Sequence, residues 1–306
     1  MMNWNGKRVL VTGGTGFLGR VVVRKLQQQQ AIVLAVRSTD CDLCDRVQSK
    51  KFFTHASPDV VIHCAVQGGG IGWMKQYPVD SGIDNVRMNI NALEAAHECG
   101  ADAFIGVSSA CAYPKICPIP FTEADLWEGY PEPTNGSYAL SKRIMMDLGR
   151  AYYQQYNFHS VFPILANLYG PEDHLSPERA HVVADLMMRC ATKPSELVLW
   201  GTGTPTREFL YIDDAAEGVL ASIQAPSGEM INIGTGIETS ILDLAKKILA
   251  GFDLQIPIRL DRSKPDGQPR KVLSVKKARE LLPWQAQTSL QNGLQKTIEW
   301  YRLQMR

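Results

Sequence analysis

The sequence predicts an α/β protein, a Rossmann-type doubly wound parallel sheet with a smaller C-terminal α/β substrate lobe. Three observations carry that prediction. Short β-branched runs alternate with longer amphipathic stretches, the pattern of buried parallel strands separated by covering helices. A glycine pattern, Gly13-x-x-Gly16-x-x-Gly19, lies directly after the first apolar run and at the head of the first amphipathic one. Beyond about Leu165 the alternation gives way to irregular sequence rich in Pro and Gly, as expected of a second lobe.

In chain order, the first strand is expected at Arg8 to Thr12, and the glycine turn feeds a helix from Leu18 to Gln28. The "QQQQ" at Gln27 to Gln30 reads as the exposed end of that helix. Strands follow at Ile32 to Val36, Val60 to His63, Ala103 to Val107 and Ser160 to Leu165, with helices at Asp84 to Cys99 and Ser137 to Tyr156. Residues 1–165 then form the dinucleotide-binding domain and 166–306 the substrate-binding lobe. The apolar segment "REFLYIDDAAEGVLASI" within 207–225 returns to dock on the first domain. A ligand cleft is expected between the lobes, at the carboxyl ends of the strands.

Bulk properties narrow the function classes. The 306 residues carry 32 Lys plus Arg against 31 Asp plus Glu, with no long basic block. Nucleic acid and an anionic membrane are therefore not expected partners. The N-terminus "MMNWNGKRVLVTGG" has no signal-peptide h-region and no apolar span of about 20 residues, so a soluble, cytoplasmic protein is expected. Seven scattered cysteines argue against a disulfide framework, and the lone Cys41-x-x-Cys44 has no second ligand pair; no metal site is expected. His55, His63, His97 and His159 sit in ordinary helix or strand contexts and read as structural.

The context of the glycine pattern points to chemistry. Glycines between a strand and a helix allow a tight turn and bring backbone N–H groups up to a pyrophosphate at the helix N-terminus. Gly13, Thr15, Gly16, Phe17, Leu18 and Gly19 are thus candidate cofactor-binding residues. After the second strand a carboxylate would receive the ribose 2′-OH of NAD. Arg37 stands there instead and suits a 2′-phosphate, which favours NADPH/NADP⁺, although Asp40 and Asp42 lie close behind. Tyr138 and Lys142, four apart in "NGSYALSK", fall on one face of a helix. An ammonium there is expected to lower the phenol's pKa from about 10. Ser109, at a strand end, can donate to a substrate carbonyl.

Taken together, "GGTGFLG" and "YALSK" make the chain resemble the extended short-chain dehydrogenase/reductases. It is similar, more narrowly, to the GDP-L-fucose synthases, through "SSACAYPK", "EPTNGSYALSK", "NLYGPEDHLSPERAHV", "WGTGTPTREFLYIDD", "NIGTG" and "KPDGQPRK". The resemblance implies NADPH-dependent epimerisation at C3 and C5 of GDP-4-keto-6-deoxy-mannose, then reduction of its 4-keto group to give GDP-L-fucose. It implies Cys111 and His181 as the acid–base pair at carbon, and Ser109, Tyr138 and Lys142 as the reductase triad. Ala65, Asn85, Asn167, Lys142 and His181 would line the cofactor. Arg189, Trp200, Arg207 and Asp266 would hold the nucleotide-diphosphate sugar. A homodimer through the helices beginning near Asp84 and Ser137 is implied as well.

The chemistry needs such a set. Carbons beside a ketone lose protons through an enolate, and inversion requires a base on one face and an acid on the other. A thiol near 8.5 and an imidazole near 6.5 both exchange protons around neutral pH. One stretch departs from the family pattern: "CAVQGGGIGWMKQYPVDSG", Cys64 to Gly82, after the third strand. That departure bears on the sugar, and a GDP-heptose acted on by an epimerase-only or reductase-only enzyme is the alternative. A non-catalytic NADP-sensing protein on the same fold is the alternative from another class.

Overall fold

The computed structural model describes residues 2–304 except 174–175, 177–179 and 265. Twelve strands among them run β1 (Arg8–Thr12), β2 (Ile32–Val36), β3 (Val60–His63), β4 (Ala103–Gly106), β5 (Ser108–Ser109), β6 (His159–Leu165), β7 (Asn167–Tyr169), β8 (Leu197–Trp200), β9 (Thr206–Tyr211), β10 (Met230–Ile233), β11 (Glu238–Ser240) and β12 (Ile258–Asp261). The helices are α1 (Phe17–Gln28), α2 (Arg46–Ala56), α3 (Ile71–Gln76), α4 (Pro78–Glu98), α5 (Gly136–Tyr156), α6 (Val182–Ala191), α7 (Ile212–Ala221), α8 (Ile241–Gly251), α9 (Lys276–Leu281) and α10 (Leu290–Gln304).

The main sheet has the order β10-β6-β4-β3-β1-β2, every pair parallel, with β5 continuing alongside β6. Its central strands are buried on both faces: Val60, Val61, Ile62, Phe104 and Ile105 have no solvent exposure. That double burial is why they read as continuous apolar runs rather than alternating ones. The reversal of strand order on either side of β1 and β3 makes a crevice at the carboxyl edge. Around it gather the glycine turn, the segment after β3, the Ser108–Ala112 stretch and the start of β7.

Several elements differ from the expected set. Helix α4 begins six residues before Asp84, because Pro78 supplies a preset φ for its first turn. Helix α2 has a polar sequence, "RVQSKKFFTHA", in which only Ser49 and Phe53 are buried, so its apolar stripe is too thin to see in sequence. The sixth strand position is filled by β10, four residues from the Pro- and Gly-rich region. The returning segment splits in two. Its strand half, β9, pairs with β7 and β11 in a separate sheet. Its helix half, α7, packs on α1 through Lys25–Glu217 (2.7 Å) and Arg24–Asp213 (3.2 Å).

Candidate active site

The glycine turn is built by exclusion of side chains. Gly13 has φ +63°, and a Cβ there would lie 2.8 Å from the Ala65 backbone. A Cβ on Gly19 would sit 2.0 Å from the Gly13 carbonyl oxygen, so α1 can abut the turn only with glycine at that place. Gly16 caps the helix with no side-chain acceptor, which leaves the first-turn N–H groups of Phe17, Leu18 and Gly19 to a ligand. The geometry fits a dinucleotide pyrophosphate. Arg20, one turn on, folds back on the turn, donating to the Thr15 carbonyl (2.9 Å) and pairing with Glu172 (2.9 Å).

Beneath this turn a buried polar chain ties the strand ends to two helices. The Thr12 hydroxyl meets His63 Nδ1 at 2.7 Å, His63 Nε2 meets Asn89 Oδ1 at 3.0 Å, and Asn89 Nδ2 donates to the Ser141 carbonyl at 3.1 Å. Because the amide oxygen accepts, Nε2 carries the ring proton and Nδ1 accepts from Thr12. Complete burial, with Lys142 as a lesser cause, pushes the imidazole down to about 3, so it stays neutral. The structural reading of His63 holds.

Ser141 precedes Lys142, and the chain of contacts therefore sets the register of α5. Lys142, 3 % exposed, donates to the Val107 carbonyl at the end of β4 (2.9 Å). Burial pushes its ammonium down to about 8, still protonated at neutral pH. Its Nζ lies 6.0 Å from the centre of the Tyr138 ring. The expected lowering of the Tyr138 pKa is not what the geometry produces. Burial drives that phenol up, the neighbouring Cys111 adds to the rise, and only the Ser109 hydroxyl pulls it back. Lys142 does not offset that rise, and the phenol stays protonated.

Cys111 rides on the 3-10 turn Ala110–Ala112. The Ser109 oxygen caps that turn by accepting from Cys111 N–H (3.2 Å), and buried Arg143 of α5 holds its far end by donating to the Ala112 carbonyl (2.7 Å). Ser109, Cys111, Tyr138 and Lys142 are thus brought together, from β5, the turn and α5.

Two residues that sequence reasoning did not single out complete the cluster. Lys271 Nζ lies 3.4 Å from Cys111 Sγ, across 160 positions of sequence. Glu208, 1 % exposed on β9, receives the N–H of Gly236 (2.8 Å) and of Leu273 (2.7 Å), and also that of Thr235. It thereby locks "NIGTG" and the chain just after Lys271 to the strand that carries Arg207. Lys271 closes the quoted "KPDGQPRK" segment, which was the available signal; Glu208 had none beyond its place beside Arg207. Replacing Glu208 by Gln puts amide hydrogens against backbone donors and should cost about 3 kcal/mol. A drop in urea midpoint at unchanged m measures it.

The remaining candidates divide between the lobes. On β9, Arg207 Nη1 donates to the Gln268 carbonyl (2.7 Å) and its charge reaches Cys111. Asp266 accepts from Thr202 N–H (2.6 Å), and Trp200, 64 % exposed with Lys264 Nζ 5.7 Å from its ring centre, ends β8 at the same turn. Arg189 reaches that strand from α6 through the Val198 carbonyl and pairs with Asp185 (3.2 Å). Arg189, Trp200, Arg207 and Asp266 therefore surround one corner of the smaller lobe. His181 precedes α6, where its carbonyl accepts from Asp185 N–H (2.9 Å), and it is exposed.

At the start of β7, Asn167 donates to the Glu208 carbonyl (2.8 Å). Asn85 is fully buried and clamps both backbone groups of Gln67 (3.0 and 2.7 Å), fixing the segment after β3. Arg37 forms a two-pronged pair with Asp40 (3.0 and 2.9 Å), which brings the Asp40 carboxyl down to about 2. Cys41 is buried and Cys44 half-buried, both pushed up by burial, so both are protonated thiols.

A glycine turn at a helix N-terminus, opposite a Tyr138/Lys142 pair, is accompanied by a match to the NAD dependent epimerase/dehydratase family model over residues 9–234. The chain belongs to that family. Among curated proteins it is 35% identical over 306 residues to GDP-L-fucose synthase 1 of Arabidopsis thaliana, covering 98% of this chain and 94% of that one. Among solved structures, a GDP-L-fucose synthetase from Naegleria fowleri bound to NADP is 32% identical, with TM-score 0.86 over 98% of this chain and 95% of that one. A GDP-6-OMe-4-keto-L-xylo-heptose reductase from C. jejuni superposes with TM-score 0.93 over 99% of both chains at 22% identity, a likeness of fold alone.

Proposed function

We propose that this family member is an NADPH-dependent epimerase/reductase of a GDP-4-keto-6-deoxy sugar, forming GDP-L-fucose by epimerisation at C3 and C5 and then reduction at C4. One observation carries the reading: a charge-stabilised thiol, Cys111, stands beside a protonated phenol, Tyr138, with Ser109 between them. A reductase alone has no use for the thiol. Relatives named GDP-L-fucose synthase and an NADP-bound structure at 32% identity support substrate and cofactor.

The roles divide as follows. Ser109 and Tyr138 hold the 4-keto oxygen, so that negative charge developing there during proton removal is met by two donors. Cys111 and His181 exchange the protons at C3 and C5. Bound NADPH supplies the hydride to C4. Tyr138 supplies the proton to the resulting alkoxide; burial keeps the phenol protonated and so able to give it. Lys142 stays charged beneath the site and faces the cofactor with Ala65, Asn85, Asn167 and the glycine turn. Arg189, Trp200, Arg207 and Asp266 receive the GDP-sugar. Residues 1–165, joined by α7 and β10, serve as the cofactor domain, and the rest of 166–306 as the substrate lobe.

The reading includes a cytoplasmic homodimer. Helices α4 and α5 pack side by side and leave Val79, Ile83, Ile144 and Tyr153 exposed, apolar surface that a second copy would cover. No helix among the described residues is long and apolar enough to cross a membrane.

The test is incubation of the purified protein with GDP-4-keto-6-deoxy-mannose and NADPH, with loss of absorbance at 340 nm and NMR of the product. GDP-L-fucose in equal amount to the NADPH consumed is expected. A reduced product retaining the starting configuration at C3 and C5 would leave only a reductase. Turnover restricted to a GDP-heptose would move the substrate to the other sugar class.

Arg37 sets the cofactor preference in this reading, by pairing with the 2′-phosphate. Asp40 competes for the same guanidinium edge, so phosphate binding must displace it or share it. Arg37→Ala should weaken NADPH binding on the order of tenfold to a hundredfold and leave NADH nearly unchanged. Asp40→Asn should tighten NADPH. Equal use of NADH and NADPH by the wild type sinks the assignment.

A further inference from the structure

Of the seven thiols, six are pushed up by burial, to about 12 for Cys64 and Cys117 and about 11 for Cys190. Cys111 alone goes the other way. Burial raises it as well, but Lys271, the Ser109 hydroxyl and Arg207 together outweigh that and bring it below the ordinary thiol value. Cys64 is the internal comparison. It lies near Lys142, whose charge does little for it, and among the described contacts no ammonium meets its sulfur.

What distinguishes Cys111 is a built contact. Lys271 Nζ stands 3.4 Å from the sulfur, and the chain on both sides of Lys271 is pinned. The Pro269 carbonyl accepts from Thr206 N–H (2.9 Å), and Arg270 pairs with Glu238. The Val272 carbonyl accepts from Phe121 N–H (2.9 Å), Leu273 N–H goes to Glu208 (2.7 Å), and Ser274 N–H to the Phe121 carbonyl (2.8 Å). The backbone on either side of position 271 therefore has little freedom to carry the ammonium away. On the other partner, Ser109 and Arg143 fix the turn that presents the thiol.

We propose that Lys271 is the positioning residue for Cys111, an ammonium held against the sulfur that stabilises its ionised form in the substrate-free protein. The inference rests on the reading of Cys111 as an acid–base group at carbon. It adds a residue that acts on the chemistry through the thiol it contacts. The groups facing that thiol are Lys271 and Arg207 from the smaller lobe and Tyr138 and Ser109 from the first. Arg207 also donates to the Thr206 and Gln268 carbonyls, so its charge is shared, and Tyr138 is uncharged across the neutral range. Lys271 is the group whose removal should move the thiol most.

The experiment is pulse alkylation of the full-length protein by iodoacetamide, without substrate, between pH 6 and 10, with the Cys111 and Cys64 peptides quantified by mass spectrometry. Lys271→Met should shift the midpoint for Cys111 upward by about one to three pH units, the span that an opposite charge in contact commands. Cys64 reactivity should not change, which reports an intact fold. Lys271→Arg should keep the midpoint close to wild type, since the charge remains. An unmoved Cys111 midpoint in Lys271→Met overturns the proposal, as does an arginine variant whose midpoint follows the methionine variant. A lysine that served only to bind the nucleotide would leave this substrate-free titration unchanged. Deuterium exchange into the keto sugar by Cys111→Ala is read separately: retained exchange there defeats the role of Cys111 at carbon without touching the titration result.

Discussion

Tyr138→Phe is expected to lower NADPH oxidation by roughly a thousandfold, about 4 kcal/mol of activation free energy, with little change in the Kd for NADPH. The size follows from removing one positioned proton donor from a site that water does not easily refill. Burial holds the phenol protonated, and Ser109 faces its oxygen, so in the wild type the acid is in the correct state before substrate arrives. Phenylalanine keeps the ring at its place on α5 and deletes only the hydroxyl. Lys142→Ala should behave differently. The ammonium is buried, fixed to the Val107 carbonyl and protonated at neutral pH, so its loss leaves a void and removes a charge facing the cofactor. Cofactor affinity and rate should fall together in that variant. Single-turnover absorbance at 340 nm and fluorescence titration of NADPH separate the two cases. A Tyr138→Phe protein reducing at near the wild-type rate would remove tyrosine from the chemistry.

Most of the sheet was legible because its strands are buried on both faces. Three of the five expected strands have the observed bounds and the other two are off by one residue, since a parallel core leaves a continuous apolar run bracketed by turns. Sequence failed where burial is thin or the element short, as in α2, which buries two side chains, and β10, four residues in a Gly- and Pro-rich stretch. The site divides along the same line. Tyr138 and Lys142 are joined by helical spacing, and the glycines by a turn that only glycine can make, so both were visible locally. The partner of Cys111 lies 160 residues away and is delivered by the pairing of the 269–274 chain with Thr206, Phe121 and Glu208. No period in the sequence encodes that meeting. The sign of the Tyr138 shift was illegible for a related reason: it is set by how deeply the folded chain buries the phenol and by the Cys111 placed beside it, neither of which helical spacing reveals.

Cys111→Ala should abolish exchange at carbon and spare reduction. With the keto sugar in D₂O and no reductant, the wild type should wash deuterium into the positions flanking the ketone, as enolate formation and return repeat. The variant should show at least about a hundredfold less exchange, the low end of what a positioned acid–base group contributes. Among the other six thiols, Cys64 and Cys117 are pushed to about 12, and none has a lysine ammonium against its sulfur among the described contacts, so none is placed to substitute. The replacement removes the Lys271 contact to the sulfur but none of the hydrogen bonds that hold the turn, because the residue-111 N–H to Ser109 and Arg143 to the Ala112 carbonyl are made by backbone on one side. Tyr138 and Lys142 keep their places, so unepimerised substrate can still be reduced, slowly, to a product with the starting configuration at C3 and C5. The pH profile follows from the direction of the Cys111 shift. Lowered below its ordinary value, the thiol is ionised over more of the neutral range than Cys64 or Cys117, so exchange by the wild type should extend to lower pH than an ordinary thiol would allow and fall only as the thiolate is protonated. In Lys271→Met the same fall should come at higher pH. Wild-type exchange in Cys111→Ala would make this cysteine a packing residue and leave the protein a reductase.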